Sequence, residues 1–257
     1  MIKCISLSKF DYILRELQWN YNLKKKNLIK LIIFKLLNNS INQVLSEKVE
    51  KMAQQIMVPG ACGVAIKCKD GVVLGNDRRA TWGYTVTNKS TRKVFKLTDH
   101  IGLTAYGLIG DFQLLVKILR AQANLYELDA GERISTKSMG KLVSNYLYSR
   151  KMYPLYTNLV IAGMEKDGVP SLYTLDAIGS LMPDDYGTAG TGMLLSIGIL
   201  EAEYKPDINV AEGEQLVEKA IRNSITRDAM SGNGIDILTI TKDGAKDKYI
   251  EIKELGE

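Results

Sequence analysis

Histidine is almost missing from this chain: His100 is the only one in 257 residues. One histidine leaves little room for Ser-His-Asp or Cys-His catalysis, or for His-rich metal sites. His100 itself sits in Leu97-Thr98-Asp99-His100 at the mouth of a strand, where a plain loop role is expected. If the chain is a hydrolase, its base is then a lysine or a terminal amine. Cysteine is also scarce. Cys4, Cys62 and Cys68 have neither metal-ligand spacing nor the pattern of a disulfide framework, so an intracellular, cytoplasmic protein without metal or cofactor is expected. Long apolar runs are lacking too. The stretch 28–37 is broken by Lys30 and Lys35 and falls short of the roughly 20 apolar residues needed to span a bilayer, so no membrane span is expected. The opening residues do not follow the pattern of a secretory signal.

Acidic charge is thin in the first 58 residues, which hold ten Lys/Arg against four Asp/Glu and contain no glycine or proline. The whole chain carries a net charge of +5, so the remainder is close to neutral at −1. The basicity belongs to the leading segment, and nucleic-acid binding by the rest has no support. Residues 1–60 read as a basic extension of one or two amphipathic helices that pack on the protein or a neighbour. A basic helix lying on a membrane surface is the alternative. Val58-Pro59-Gly60 marks the boundary with a second unit, 61–257.

From Ala61 onward the pattern alternates between strands and helices. Two apolar runs, 62–68 and 71–77, flank Lys69-Asp70-Gly71, and Asp-Gly between apolar runs signals a hairpin, because both residues tolerate positive φ. Short extended pieces follow at 84–86 and 93–95, then a strand at 100–106. Phe112, Leu115, Val116, Ile118, Leu119, Ala123 and Tyr126 recur at three- and four-residue spacing and predict a helix. A second helix is expected from Ser135 to about Arg150, and a strand hairpin at 157–165 and 171–177. Gly187-Thr188-Ala189-Gly190-Thr191-Gly192 leads into a helix through Tyr204. The pattern ends with a helix at 211–229 and strands at 235–241 and 249–253. This order predicts an α+β fold, a four-layer αββα sandwich.

The run Lys69-Asp70-Gly71-Val72-Val73-Leu74-Gly75-Asn76-Asp77-Arg78-Arg79-Ala80-Thr81 resembles the opening hairpin of proteasome β subunits, N-terminal-nucleophile hydrolases of the 20S core particle, with an archaeal flavour. Gly107-Leu108-Ile109-Gly110-Asp111, Gly190-Thr191-Gly192 and Ser231-Gly232-Asn233-Gly234-Ile235-Asp236 follow in the family's order, and the resemblance covers about residues 60–242. It implies the αββα fold of the N-terminal-nucleophile hydrolases and threonine-type endopeptidase chemistry in ATP-dependent intracellular protein degradation. It also implies partners: proteasome α subunits and other β subunits in a 28-subunit barrel of stacked heptameric rings, with unfolded polypeptides as substrates. The resemblance assigns the carboxylate role to Asp77, the lysine role to Lys93, the oxyanion glycine to Gly107, and support of the terminal amine to Asp228 and Ser231. Thr191 stands where the family usually has serine. Ala80, Ala105 and Ile109 would line an apolar pocket for the residue before the scissile bond.

The family's nucleophile is a threonine at the start of the first strand, freed by cleavage after a glycine. Here those positions are Ala61 and Gly60, and alanine has no hydroxyl. Three readings stay open. The chain is a natural non-catalytic ring subunit, a precursor inactivated by substitution at the nucleophile, or a peptidase that uses Cys62 after processing. Against the last, a one-residue shift along a strand turns a side chain to the opposite face. Without the hydroxyl, self-cleavage is expected to fail and the extension to stay attached.

Overall fold

The first hairpin forms where the apolar runs place it. A computed structural model describes residues 60–83 and 85–252, and the helices expected within 1–58 lie outside the described residues. Strands β1 (Cys62–Cys68) and β2 (Gly71–Asp77) pair antiparallel with Cys68 opposite Gly71, so the turn itself is Lys69-Asp70. Positive φ is not what Gly71 supplies. Its place is tight instead, since a Cβ there would lie 2.4 Å from the Ile240 carbonyl oxygen.

Alternation along β1 sends successive side chains to opposite faces. Cys62, Val64, Ile66 and Cys68 point into one core, and Ala65 points into another. β1 and β2 belong to a five-stranded sheet ordered β10-β1-β2-β11-β12, with β10 at Tyr186–Gly190, β11 at Ile235–Thr241 and β12 at Gly244–Ile250. A second sheet is ordered β5-β6-β7-β8-β9: Val94–Lys96, Ile101–Gly107, Thr157–Met164, Pro170–Leu175 and Met182–Pro183. A small hairpin, β3 (Ala80–Trp82) and β4 (Thr85–Asn88), stands apart from both sheets. All pairings described are antiparallel.

Among the described residues, four helices cover the outer faces. α1 (Ile109–Ala130) and α2 (Thr136–Ser149) pack Phe112, Leu115, Leu119, Met139, Val143 and Leu147 onto the second sheet. α3 (Met193–Glu203) and α4 (Val210–Ile225) pack Leu200, Leu216, Val217, Ala220 and Ile221 onto the first. Between the sheets lie Val72, Leu74, Val160, Ala162, Leu238 and Ile240. The result is the expected αββα sandwich. Local chemistry sets the helix ends. Ser135 caps α2 by accepting from Ser138 N–H, and Asn209 with Glu212 forms a capping box on α4. No helix among the described residues is long and apolar enough to cross a membrane.

Several boundaries differ from the sequence reading. Residues 187–190 extend the first sheet as β10 and were not expected as a strand, because three small residues give no apolar alternation. α4 stops at Ile225, four residues short of the expected end, and Asp228 folds back to accept from Met230 N–H. β12 begins at Gly244, five residues before the expected start, because its Lys and Asp residues face solvent and mask the pattern.

Candidate functional site

Asp77 ends β2 completely buried, and each of its oxygens takes two donors. Oδ1 accepts from Cys62 N–H at 2.8 Å and from Lys93 Nζ at 2.8 Å. Oδ2 accepts from Arg79 N–H at 3.0 Å and from Gly232 N–H at 2.9 Å. A buried carboxylate needs this many partners to offset its desolvation. Lys93, just before β5, is only 3% exposed. Its ammonium has three protons and three acceptors: Asp77 Oδ1, the Arg79 carbonyl at 2.8 Å and the Gly60 carbonyl at 3.3 Å.

Ala61 sits at the centre, 1% exposed. Its carbonyl accepts from Gly192 N–H at 3.2 Å, and its amide donates to Thr191 Oγ1 at 3.4 Å. Gly190 lets the loop come this close. Its φ is +113°, and a Cβ there would lie 2.0 Å from the Ala61 carbonyl oxygen. Thr191 Oγ1 donates to Asp228 Oδ2 at 2.6 Å, and buried Ser231 donates to the same oxygen at 2.7 Å. Thr191, Asp228 and Ser231 therefore form one hydroxyl–carboxylate cluster beside the Ala61 nitrogen. In the intact chain that nitrogen is a peptide amide, joined to Gly60.

Gly60 is held tightly on the other side. Its N–H donates to the buried Thr81 Oγ1 at 3.1 Å, and a side chain at 60 would collide with Met230 Cβ, 2.0 Å from the ideal Cβ position. Gly107 closes β6 with φ +124°, and a Cβ there would sit 1.9 Å from the Tyr156 carbonyl. Ala105, two residues earlier, donates its N–H to the Lys93 carbonyl at 2.9 Å. Antiparallel alternation turns the Gly107 N–H to that same side, past the start of β5. Of the expected pocket residues, Ala105 lies opposite Lys93 and Ala80 opens β3, both buried. Ile109 is half-buried at the start of α1, against the core that also holds Ala105.

Cys62 faces away. Its side chain lies in the core under α3 and α4, beside Ser224 and Ser196, and burial pushes its thiol up to about 11. That leaves almost no thiolate near neutral pH. His100 lies, as expected, in the bend before β6; it is buried there, its Nε2 2.7 Å from the Ile134 carbonyl and its Nδ1 3.1 Å from Thr98 Oγ1.

Sequence reasoning missed Thr81, the Arg79 carbonyl and the Gly192 N–H. It also missed Asn76, whose Nδ2 ties β2 to β6 through Thr104 Oγ1 at 2.9 Å and the Ala105 carbonyl at 3.0 Å. Backbone acceptors and donors leave no mark on residue type. Thr81 and Asn76 look like ordinary strand polar residues.

The sequence matches the family described as "Proteasome subunit" over residues 57–240. It is 40% identical over 202 residues to "Proteasome subunit beta 1" of Desulfurococcus amylolyticus, covering 79% of this chain and 99% of that one. It is 43% identical over 187 residues to "Proteasome subunit beta 1" of Staphylothermus marinus, covering 73% and 87%. It is 36% identical over 204 residues to "Proteasome subunit beta 2" of Pyrobaculum aerophilum, covering 79% and 100%. Together with the αββα fold, these matches establish that the chain belongs to the proteasome subunit family, among its β subunits.

Proposed function

We propose that this chain is a non-catalytic β subunit of a 20S-type proteasome core particle, serving ATP-dependent protein degradation in the cytoplasm. It would share a heptameric ring with other β subunits, stacked against α rings, and wall a chamber where partners cut unfolded polypeptides. In this reading residues 1–60 are an extension and 61–257 the ring-forming domain. The observation that carries the reading is the Ala61 methyl at the centre of an otherwise furnished site. Asp77 holds Lys93, Thr191 accepts from the position-61 nitrogen and is itself held by Asp228 beside Ser231, and Gly107 is the glycine to which the resemblance gives the oxyanion role.

The role of each group follows from what a hydroxyl at position 61 would need. Lys93 would stabilise the developing alkoxide, and Asp77 would fix the lysine. The terminal amine would take the proton. Here there is neither a hydroxyl nor, while Gly60 stays attached, a free amine. The Gly60 carbonyl takes the third Lys93 proton, so the leading segment occupies the lysine as well. The Cys62 alternative has the opposite face of β1 and a thiol raised to about 11 against it.

The test is co-expression with a proteasome α subunit, with and without a threonine-bearing β subunit. Assembled particles would be isolated by sedimentation and assayed with fluorogenic peptides. The reading expects hydrolysis only from particles that contain the threonine-bearing partner. Hydrolysis by particles built on this β chain alone would overturn it.

A further inference from the structure

The β3–β4 hairpin joins neither sheet, and a two-stranded hairpin on its own is marginally stable in water. Thr85–Asn88 is exposed along its whole length, and Trp82 keeps 59% of its surface open. Tryptophan is among the residues most enriched at the anchoring points of protein interfaces. The base of the hairpin fixes its side of the fold. Thr91 N–H donates to the Arg78 carbonyl at 3.0 Å, and Arg92 pairs with Asp247 on β12. The chain then enters β5. β5 packs on β11, the neighbour of β12, so edge strands β5 and β12 mark one flank of the sandwich.

On the opposite flank, edge strands β9 and β10 meet the start of α3 around a cleft of about 240 Å³. Its lining is mostly apolar and includes Leu175, Met182, Tyr186, Met193 and Ile197. The volume is below the range of roughly 300–1,000 Å³ typical of sites for whole small molecules, and it suits one large side chain. Charge matches as well. Residues 80–92 carry Lys89 and Arg92 and no acid, whereas residues 174–186 carry Asp176, Asp184 and Asp185 and no cation. Asp185 pairs with Lys67. Asp176 and Asp184 line the cleft and have no ion-pair partner among the described residues. Complementary charge of this kind sets partner choice and register.

Hairpin and cleft lie on opposite flanks, so the hairpin cannot fill the cleft of its own chain. A second copy can bring the two together. Joining two different patches in this way is a head-to-tail contact, which repeats and closes into a ring where the rotation allows. We propose that Trp82 of one copy docks in the β9–β10 cleft of the next copy of this chain, with Lys89 on the side of Asp176 and Asp184. The contact rests on the ring reading given above and names the surfaces through which ring neighbours engage. It needs no nucleophile at position 61.

The experiment is cross-linking in assembled particles. The full chain would carry Cys4→Ser, with Val86→Cys on the hairpin and Met182→Cys on the cleft, and would be co-expressed with a cysteine-free proteasome α subunit. The native Cys62 and Cys68 are buried. A short bis-maleimide should link copies into a ladder from dimer upward on a denaturing gel, and neither cysteine alone should give one. Trp82→Ala should slow the linking about tenfold, the loss expected of an anchoring side chain, and Trp82→Phe should restore most of it. Dimers from either cysteine alone would overturn the head-to-tail arrangement. A ladder unchanged by Trp82→Ala would overturn Trp82 as the anchor. Assembled particles that give no ladder would overturn the contact while leaving the ring reading intact. A chain that enters no particle at all would overturn the ring reading, and this contact with it.

Discussion

Replacing Asp77 with asparagine removes one atom's charge and should be among the most damaging single changes in this protein. Asp77 is fully buried, and each of its oxygens accepts two donors, Cys62 N–H with Lys93 Nζ and Arg79 N–H with Gly232 N–H. An asparagine has one acceptor oxygen and one NH₂ group. Whichever way it turns, the NH₂ faces two donors. Lys93, 3% exposed, then has no charged acceptor left, only the carbonyls of Arg79 and Gly60 and, in one of the two orientations, the neutral amide oxygen. Breaking a buried ion pair from one side costs about 3–5 kcal/mol. For a domain of this size each kcal/mol lowers Tm by about 2–4 °C, so Asp77→Asn should lower it by about 6–20 °C. Lys93→Met should cost less, because Asp77 keeps three N–H donors, and the double variant should fall short of the sum of the two losses. The assay is thermal unfolding followed by circular dichroism on the full chain. A Tm for Asp77→Asn within 2 °C of the parent would refute the buried-pair reasoning.

Four further outcomes follow. Ala61→Thr restores the missing hydroxyl and should release residues 1–60, a mass loss of about 7 kDa from the 28.6 kDa chain. Adding Lys93→Ala to that variant should slow the release about 10²–10⁴-fold, read by mass spectrometry over time. Gly107→Ala places a Cβ 1.9 Å from the Tyr156 carbonyl at φ +124°, and should yield little soluble folded protein on expression. Burial raises the Cys62 and Cys68 thiols from 9.0 to about 11 and about 12, so above pH 9 the unfolded chain sheds these protons first. Stability should therefore fall as pH rises from about 9 to 12, as urea midpoints would register. The same two thiols should resist iodoacetamide at pH 7.5 in the folded chain and react on unfolding, which peptide mapping would reveal.

Strong local patterns carried most of the fold into the sequence. The β1–β2 hairpin and β11 kept the expected bounds, and the helix expected at 135–150 runs over Thr136–Ser149, because alternation and helical spacing are written in residue type. β3, β9 and β10 were illegible. The first two are three residues or fewer, and β10 is Tyr-Gly-Thr-Ala-Gly, held in place by its neighbour β1. For the site, the resemblance supplied the names of Asp77, Lys93, Asp228 and Ser231; in the fold Asp77 accepts from Lys93, and Asp228 accepts from Ser231. Spacing alone would have made Lys93 a solvated strand residue. Its burial comes from chain segments distant in sequence, which no local pattern encodes. The same holds for the acceptors of its ammonium, two of which are backbone carbonyls.

The central claim is that Ala61 leaves this chain unprocessed and silent. Intact mass and N-terminal sequencing of the chain purified from particles built on it alone, with a fluorogenic peptide assay on the same sample, test it most directly. The account predicts a full-length mass and no hydrolysis. A new terminus at Cys62, with hydrolysis lost in Cys62→Ala, would contradict it.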